Sequence, residues 1–367
     1  MKWSWSLGRV AGIQLRIHAT FFILLAWMAL VYGRETGTLG GAVAGVVFTI
    51  AVFASVVLHE LGHALTARRF GVDTRDITLL PIGGVARLEA IPKNPAQELA
   101  IALAGPAVTL AITLVLGMAV RLTARSVLPP EAGLATAAGF VVELMWVNAM
   151  LLVFNLLPAF PMDGGRVLRA LLAMRMSYLR ATRIAARAGR AFALLFGMLG
   201  VIYDPLLVLV ALFVWLGAAA ESGEEEMHSS LAGVRVERVM SRGVHTLSVG
   251  DTLDAALQQV LSGFQHDFPV TDDGRVVGVL TQRALLAGLA AHGGESRVGD
   301  AVDRSFRSAA PSEELEDAVA RLRETHCRAM PVMNDGQLLG VLTLDNVGEL
   351  VAATAALRKS TAGAATA

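Results

Sequence analysis

Four apolar runs in the first 220 residues, at about 17–33, 41–69, 97–121 and 136–157, are each long enough to cross a bilayer. Roughly 20 apolar residues span the hydrocarbon layer. A chain inside it must satisfy its own backbone hydrogen bonds, so such runs become helices. A fifth region, 189–220, is apolar but broken by Tyr203-Asp204-Pro205, which predicts a hairpin of two short helices and about six spans in all. Charged residues make up 17% of the chain and hydrophobic ones 54%, against about 25% charged in an ordinary soluble domain. The polarity changes near residue 221, beyond which the chain reads as soluble protein. The expected fold class is a multi-spanning α-helical membrane domain followed by a smaller α/β part.

Formal net charge is zero, so the basic stripe of a nucleic-acid partner is missing. The single cysteine, Cys327, excludes an internal disulfide and a thiolate metal cluster, leaving His, Asp and Glu as metal ligands. The N-terminus is basic and then apolar without a small-residue cleavage site, and is read as retained. Lys2, Arg9 and Arg16 precede the first run, Arg68 and Arg69 close the second, and seven arginines from Arg166 to Arg190 follow the fourth. These groups share one face if the N-terminus and the soluble part are both cytoplasmic. Arg121 and Arg125 fall on the other side.

Between the second and third runs, β-branched residues and a Pro-Ile-Gly-Gly turn predict a short β segment at 77–90. The acidic stretch 223–230 is read as a linker after a membrane domain at 1–222. The soluble part repeats itself: a shift of 62 residues aligns FPVTDDGRVVGVLTQRA (268–284) with MPVMNDGQLLGVLTLDN (330–346) without a gap. Each copy, 231–290 and 293–352, reads as helix, strand, strand, short helix, with Asp-Gly turns between the strands. Residues 353–367 are expected to be a disordered tail.

Within the second apolar run stands His59-Glu60-Leu61-Gly62-His63. Residues four apart share a helix face, so both imidazoles can bind one metal ion. Glu60, one residue after the first ligand, is placed to act as a general base. Ionisable groups inside a membrane segment are costly and usually functional. A catalytic zinc takes three protein ligands and one open position, and Asp163 in NLLPAFPMDGGR (155–166) is the candidate third. The surrounding Gly and Pro residues are expected to break regular structure and bring backbone close to the metal. Asn155 either hydrogen-bonds a substrate or an oxyanion, or caps its own helix.

HELGHALTARRFGV (59–72), PIGGVARLE (81–89), AGP (104–106) and NLLPAFPMDGGR match, in order and spacing, the site-2 protease family of intramembrane metalloproteases over roughly residues 1–220. The resemblance implies that His59, His63 and Asp163 bind one zinc ion per chain, that Glu60 is the general base, and that Asn155 positions substrate or an oxyanion. It also implies that the strand around Gly83 and Gly84 receives an unwound substrate by strand addition. The repeat resembles a tandem cystathionine-β-synthase (CBS) pair, which implies adenine nucleotide, such as ATP, in the cleft and a homodimer. In place of that family's Gly-x-x-Thr-x-x-Asp, the first copy has Gly278, Thr281 and Ala284, and the second has Gly340, Thr343 and Asn346. Thr281, Thr343 and Asn346 are the nucleotide candidates.

The function so implied is hydrolysis of a peptide bond in the transmembrane segment of a single-pass membrane protein, by a multi-pass protein of the cell membrane, adjusted by the CBS pair. The rival is a CBS-gated scaffold or transporter without proteolytic activity. A transporter is expected to show duplicated membrane halves, and residues 1–220 show no repeat.

Overall fold

Alternation at the N-terminus begins the structure: Ile13, Leu15 and Ile17 point one way, Gln14 and Arg16 the other. In the computed structural model, which describes residues 3–88, 94–123, 134, 136–263, 265–325 and 327–364, this segment is strand β2 (Ile13–His18), paired antiparallel with β1 (Ser4–Val10). Helix α1 (Ala19–Thr36) follows, then α2 (Leu39–Arg69), whose first turn is capped by Thr38, the Gly41 N–H donating to its hydroxyl at 3.0 Å. The chain returns as a hairpin of β3 (Thr74–Leu80) and β4 (Gly83–Leu88), with β2 and β3 parallel, giving one four-stranded sheet in the order β1-β2-β3-β4.

The β segment read at 77–90 is therefore a hairpin, with 89 and 90 outside the described residues, and the sheet holds two further strands that sequence reading took for a basic lead-in. Its inner face packs Ile13, Leu15 and Ile77 on Leu61 and Ala64 of α2.

Helices α3 (Pro95–Thr123), α4 (Ala137–Asn155), α5 (Asp163–Ala173), α6 (Tyr178–Ile202) and α7 (Leu206–Leu231) complete the membrane unit. Among the described residues five helices, α2, α3, α4, α6 and α7, are long and apolar enough to cross a bilayer, while α1 has 18 residues with Arg34 in its last turn. Their outward positions stay apolar, with Leu114, Val201 and Leu209 all exposed, as lipid contact requires. The break at Tyr203-Asp204-Pro205 makes the α6–α7 hairpin; the Asp204 carboxylate accepts from the Leu206 N–H at 2.9 Å. The break expected around Asp163 falls before it: residues 156–162, with Pro158 and Pro161, are turns and bends between α4 and α5, while Asp163 and the two glycines after it begin α5, where an acidic residue is favoured.

The chain divides into compact units at Met1–Gly223 and Glu224–Ala367. Residues 223–230, read as a linker, lie within α7. In the second unit a 3₁₀ turn (Val236–Arg238), β5 (Leu247–Ser248), α8 (Leu253–Ser262), β6 (Phe268–Asp272), β7 (Arg275–Leu280) and α9 (Gln282–His292) form one copy. The second copy has α10 (Val298–Ala301), α11 (Leu315–Glu324), β8 (Ala329–Asn334), β9 (Gln337–Thr343) and α12 (Leu344–Ala364). Helix α11 starts and ends 62 residues after α8, matching the sequence repeat. Both hairpins turn through left-handed Asp-Gly pairs, Asp273-Gly274 and Asp335-Gly336. Leu253, Phe268 and Leu280 fill one core; Leu315, Met330 and Leu342 fill the other. Of the tail expected at 353–367, residues up to Ala364 belong to α12, through Ala-rich sequence of high helix propensity, and 365–367 lie outside the described residues.

Candidate metal centre

His59 and His63 lie one turn apart on α2, 7% and 6% exposed. Their Nε2 atoms are 3.0 Å apart, and Asp163 Oδ2 sits 3.0 Å from the first and 3.2 Å from the second. The partners of the outer nitrogens fix what faces inward. His63 Nδ1 is 2.7 Å from the Ile101 carbonyl oxygen, which can only accept, so the proton is on Nδ1 and a lone pair on Nε2. Thr109 donates its hydroxyl to the Gly105 carbonyl at 3.4 Å and therefore accepts from His59 Nδ1 at 2.8 Å. Two imidazole lone pairs and a carboxylate oxygen thus converge on one point, which calls for a cation there.

The donor set of three N/O ligands, each imidazole oriented by an outer partner, fits a catalytic zinc site. Helix α3 leaves room for it at Gly105. A Cβ there would collide with His63 Nε2 and lie 2.7 Å from His59 Nε2.

Asp163 is delivered by α5, which is held at two points. At Gly164 a Cβ would overlap the carbonyls of Leu156 and Leu157, so the helix start sits directly on the preceding turn. About one and a half turns on, Arg169 is 2% exposed. Its Nε donates to Glu98 Oε1 of α3 at 2.7 Å, and a terminal nitrogen donates to Glu221 Oε1 of α7 at 2.6 Å. The rings of Phe160 and Tyr178 each lie 5.0 Å from its guanidinium carbon. Arg169 therefore ties the helix carrying Asp163 to the helix carrying Ile101, Gly105 and Thr109.

A cavity of about 410 Å³ opens onto the three ligands; Glu60, Gly83, Gly84, Asn155, Arg166 and the buried Asn148 also line it. Strand β4 runs beside Glu60, since a Cβ on Gly84 would come within 2.7 Å of Glu60 Cγ. Asn155 is the last residue of α4, half-buried. The site residues named from sequence in the first unit are thus gathered in one cavity.

In the second unit the nucleotide candidates are engaged locally. Thr281 caps α9, accepting from the Ala284 N–H at 3.1 Å. The Thr343 hydroxyl donates to Asn346 Oδ1 at 2.6 Å and accepts from the Asn346 N–H at 3.1 Å. A cavity of about 200 Å³ in this unit is lined among the described residues by Val279, Asp303, Arg307, Thr325, Cys327 and Met330 with their neighbours, and by none of those three.

Sequence reading missed Thr109, Asn148 and Arg169. Asn148 carried a signal, a polar residue within an apolar run. Arg169 was counted only as a positive charge beside the membrane, and the Ile101 carbonyl, being backbone, leaves no mark in a sequence.

A multi-helix membrane unit with two buried histidines and a part-buried aspartate converging on one point, joined to a repeated α/β unit, defines the class of a membrane metallopeptidase with an appended repeat. Residues 47–128 and 130–196 match peptidase family M50, and residues 236–291 and 298–352 match the CBS domain. A zinc metalloprotease of Methanocaldococcus jannaschii is 35% identical over 283 residues, covering 76% of this chain and 78% of that one. Rip3 of Mycobacterium tuberculosis is 32% identical over 373 residues, covering 94% and 92%. A solved site-2 protease from Methanocaldococcus jannaschii is 40% identical, covers 60% of this chain and 95% of that one, and superposes with a TM-score of 0.45. The chain belongs to peptidase family M50, the site-2 protease family, and carries a tandem CBS pair.

Proposed function

We propose that the chain is a zinc-dependent intramembrane endopeptidase, with one zinc per chain held by His59, His63 and Asp163 and with Glu60 as general base. The observation that carries this reading is the meeting of the three ligand atoms within 4.8 Å of one another in the cavity that Glu60 and β4 also line. Zinc, when bound, supplies Lewis acidity that polarises a peptide carbonyl and makes a neighbouring water more acidic. Glu60 takes a proton from water and returns it to the leaving amine. The amide of Asn155 steadies the substrate or its oxyanion.

The substrate is a single-pass membrane protein, unwound locally, because a helical peptide bond is shielded by its own hydrogen bonds. Strand β4 closes the sheet order at one end, so its outer backbone edge, at Gly83 and Gly84, is suited to pair with an extended segment. The distribution of Lys and Arg supports a cytoplasmic N-terminus and CBS pair, and hence release of a cytoplasmic domain. The CBS match supports an adenine nucleotide such as ATP as regulator, through Thr281, Thr343 and Asn346, and a homodimer through the pair. Calorimetric titration of the whole protein with ATP tests this; no heat and no change in cleavage would remove the regulator.

Zinc content of the detergent-purified protein tests the central reading. Wild type is expected to hold about one zinc per chain and Asp163→Ala to lose it. Glu60→Gln is expected to keep the metal while cleavage falls by about 10²–10⁴-fold. A folded wild type that takes up no zinc would return the chain to the scaffold class.

A further inference from the structure

Helix α4 carries a second amide that the reaction described above does not use. Asn148 is 0% exposed and lines the same cavity as Glu60 and the three ligands. Its Nδ2 donates to the Leu144 carbonyl at 2.8 Å, one turn back on the same helix. That bond fixes the amide, since the reverse orientation would set oxygen against oxygen. Oδ1 is then an acceptor, buried and without a donor among the described residues. A buried acceptor left without a partner is costly, and more so in an apolar setting.

We propose that Asn148 is a substrate-binding residue whose Oδ1 accepts a backbone N–H of the extended peptide in the cavity. This rests on the peptidase reading and adds a second point of backbone recognition, on the wall made by α4. An extended peptide paired to β4 along one edge keeps unpaired N–H groups along its other edge, and these are the donors that Oδ1 lacks. Asn155 lies seven residues on, on the same face of α4. The two amides are separated by about 10.5 Å of helix axis, several residues of strand at roughly 3.3 Å each, so they address different residues of the substrate. Recognition through a main-chain N–H is indifferent to side-chain identity. It therefore selects for an unwound segment rather than for a sequence.

The test compares full-length wild type with Asn148→Leu, which keeps side-chain size and removes the orphan acceptor. Substrates are a cleavable transmembrane peptide and a series bearing one N-methyl group each. Asn148→Leu is expected to hold zinc as wild type does, to unfold at the same or a higher temperature, and to raise KM about tenfold, the worth of one buried hydrogen bond. One N-methyl position is expected to raise KM in wild type and to add nothing in Asn148→Leu. An unchanged KM overturns the proposal, as does a KM rise that comes with lost thermal stability or lost zinc, or an N-methyl penalty that persists in the variant. A wild type that holds zinc and cleaves isolates Asn148 as the part at fault in those cases. A wild type that does neither overturns the peptidase reading as well.

Discussion

His59 donates from Nδ1 to the hydroxyl of Thr109 across 2.8 Å, and this bond turns the imidazole so that Nε2 meets Asp163 at 3.0 Å. Thr109→Val keeps the shape and removes the acceptor. Zinc affinity is expected to fall about 10–100-fold with the fold intact, measured by chelator competition. An affinity equal to wild type would mean that the ring is held by packing alone.

Glycine at position 84 keeps β4 close to the general base. In Gly84→Val the new side chain would press on Glu60 Cγ at 2.7 Å and on Val56 Cγ1 at 3.2 Å. Cleavage is expected to drop at least about tenfold, the worth of one displaced hydrogen bond, while zinc content stays at the wild-type level. Loss of zinc together with cleavage would instead place the damage at the metal ligands.

Arg169→Met leaves the buried carboxylate of Glu98 and the part-buried one of Glu221 facing a site without its cation. Removing one partner of a buried charge cluster costs about 3–5 kcal/mol. A marked fall in the thermal midpoint of the membrane unit is expected, with weakened zinc binding following from the loosened α5. Unchanged unfolding and unchanged zinc affinity would show that Gly164 and the preceding turn suffice to hold Asp163.

Burial first, and then the carboxylates of Asp267 and Asp303, push the Cys327 thiol above its usual range. A raised thiol pKa means less thiolate at neutral pH, and the thiolate is the reactive form. Alkylation by iodoacetamide, followed by mass spectrometry, is therefore expected to be slow at neutral pH and to accelerate only well into the alkaline range. Asp303→Asn removes one of the opposing charges and is expected to speed it. Rapid labelling of wild type at neutral pH would contradict this account.

What the sequence discloses follows physical range. The apolar runs and the break at Tyr203-Asp204-Pro205 are local, and the helices appear where they predict. HExxH works through a spacing within one helix, so His59, Glu60 and His63 are legible; Asp163 is legible because its own motif marks it. The 62-residue repeat reappears as matched helices and hairpins. Strand β2 is hidden because one of its partners, β3, lies beyond two helices, and β1, which pairs only with β2, is hidden with it because basic residues beside a membrane run suggest a flank. Arg169 and Thr109 act across helices, through interactions that no window along the chain contains. Acidic residues 223–230 resemble a linker by composition, yet they also have good helix propensity and extend α7.

The parallel pairing of Leu15 with Ile77 separates partners by about sixty residues. At about 5–20 residues per second of synthesis, β2 exists for roughly 3–12 s before the strand it joins has been made. During that interval it has only β1 beside it, while α1 and the apolar α2 emerge behind it. The sheet that lies against the metal-binding turn therefore closes after both of those helices have been made, and slow elongation between residues 20 and 80 prolongs the exposure of an unpaired strand edge.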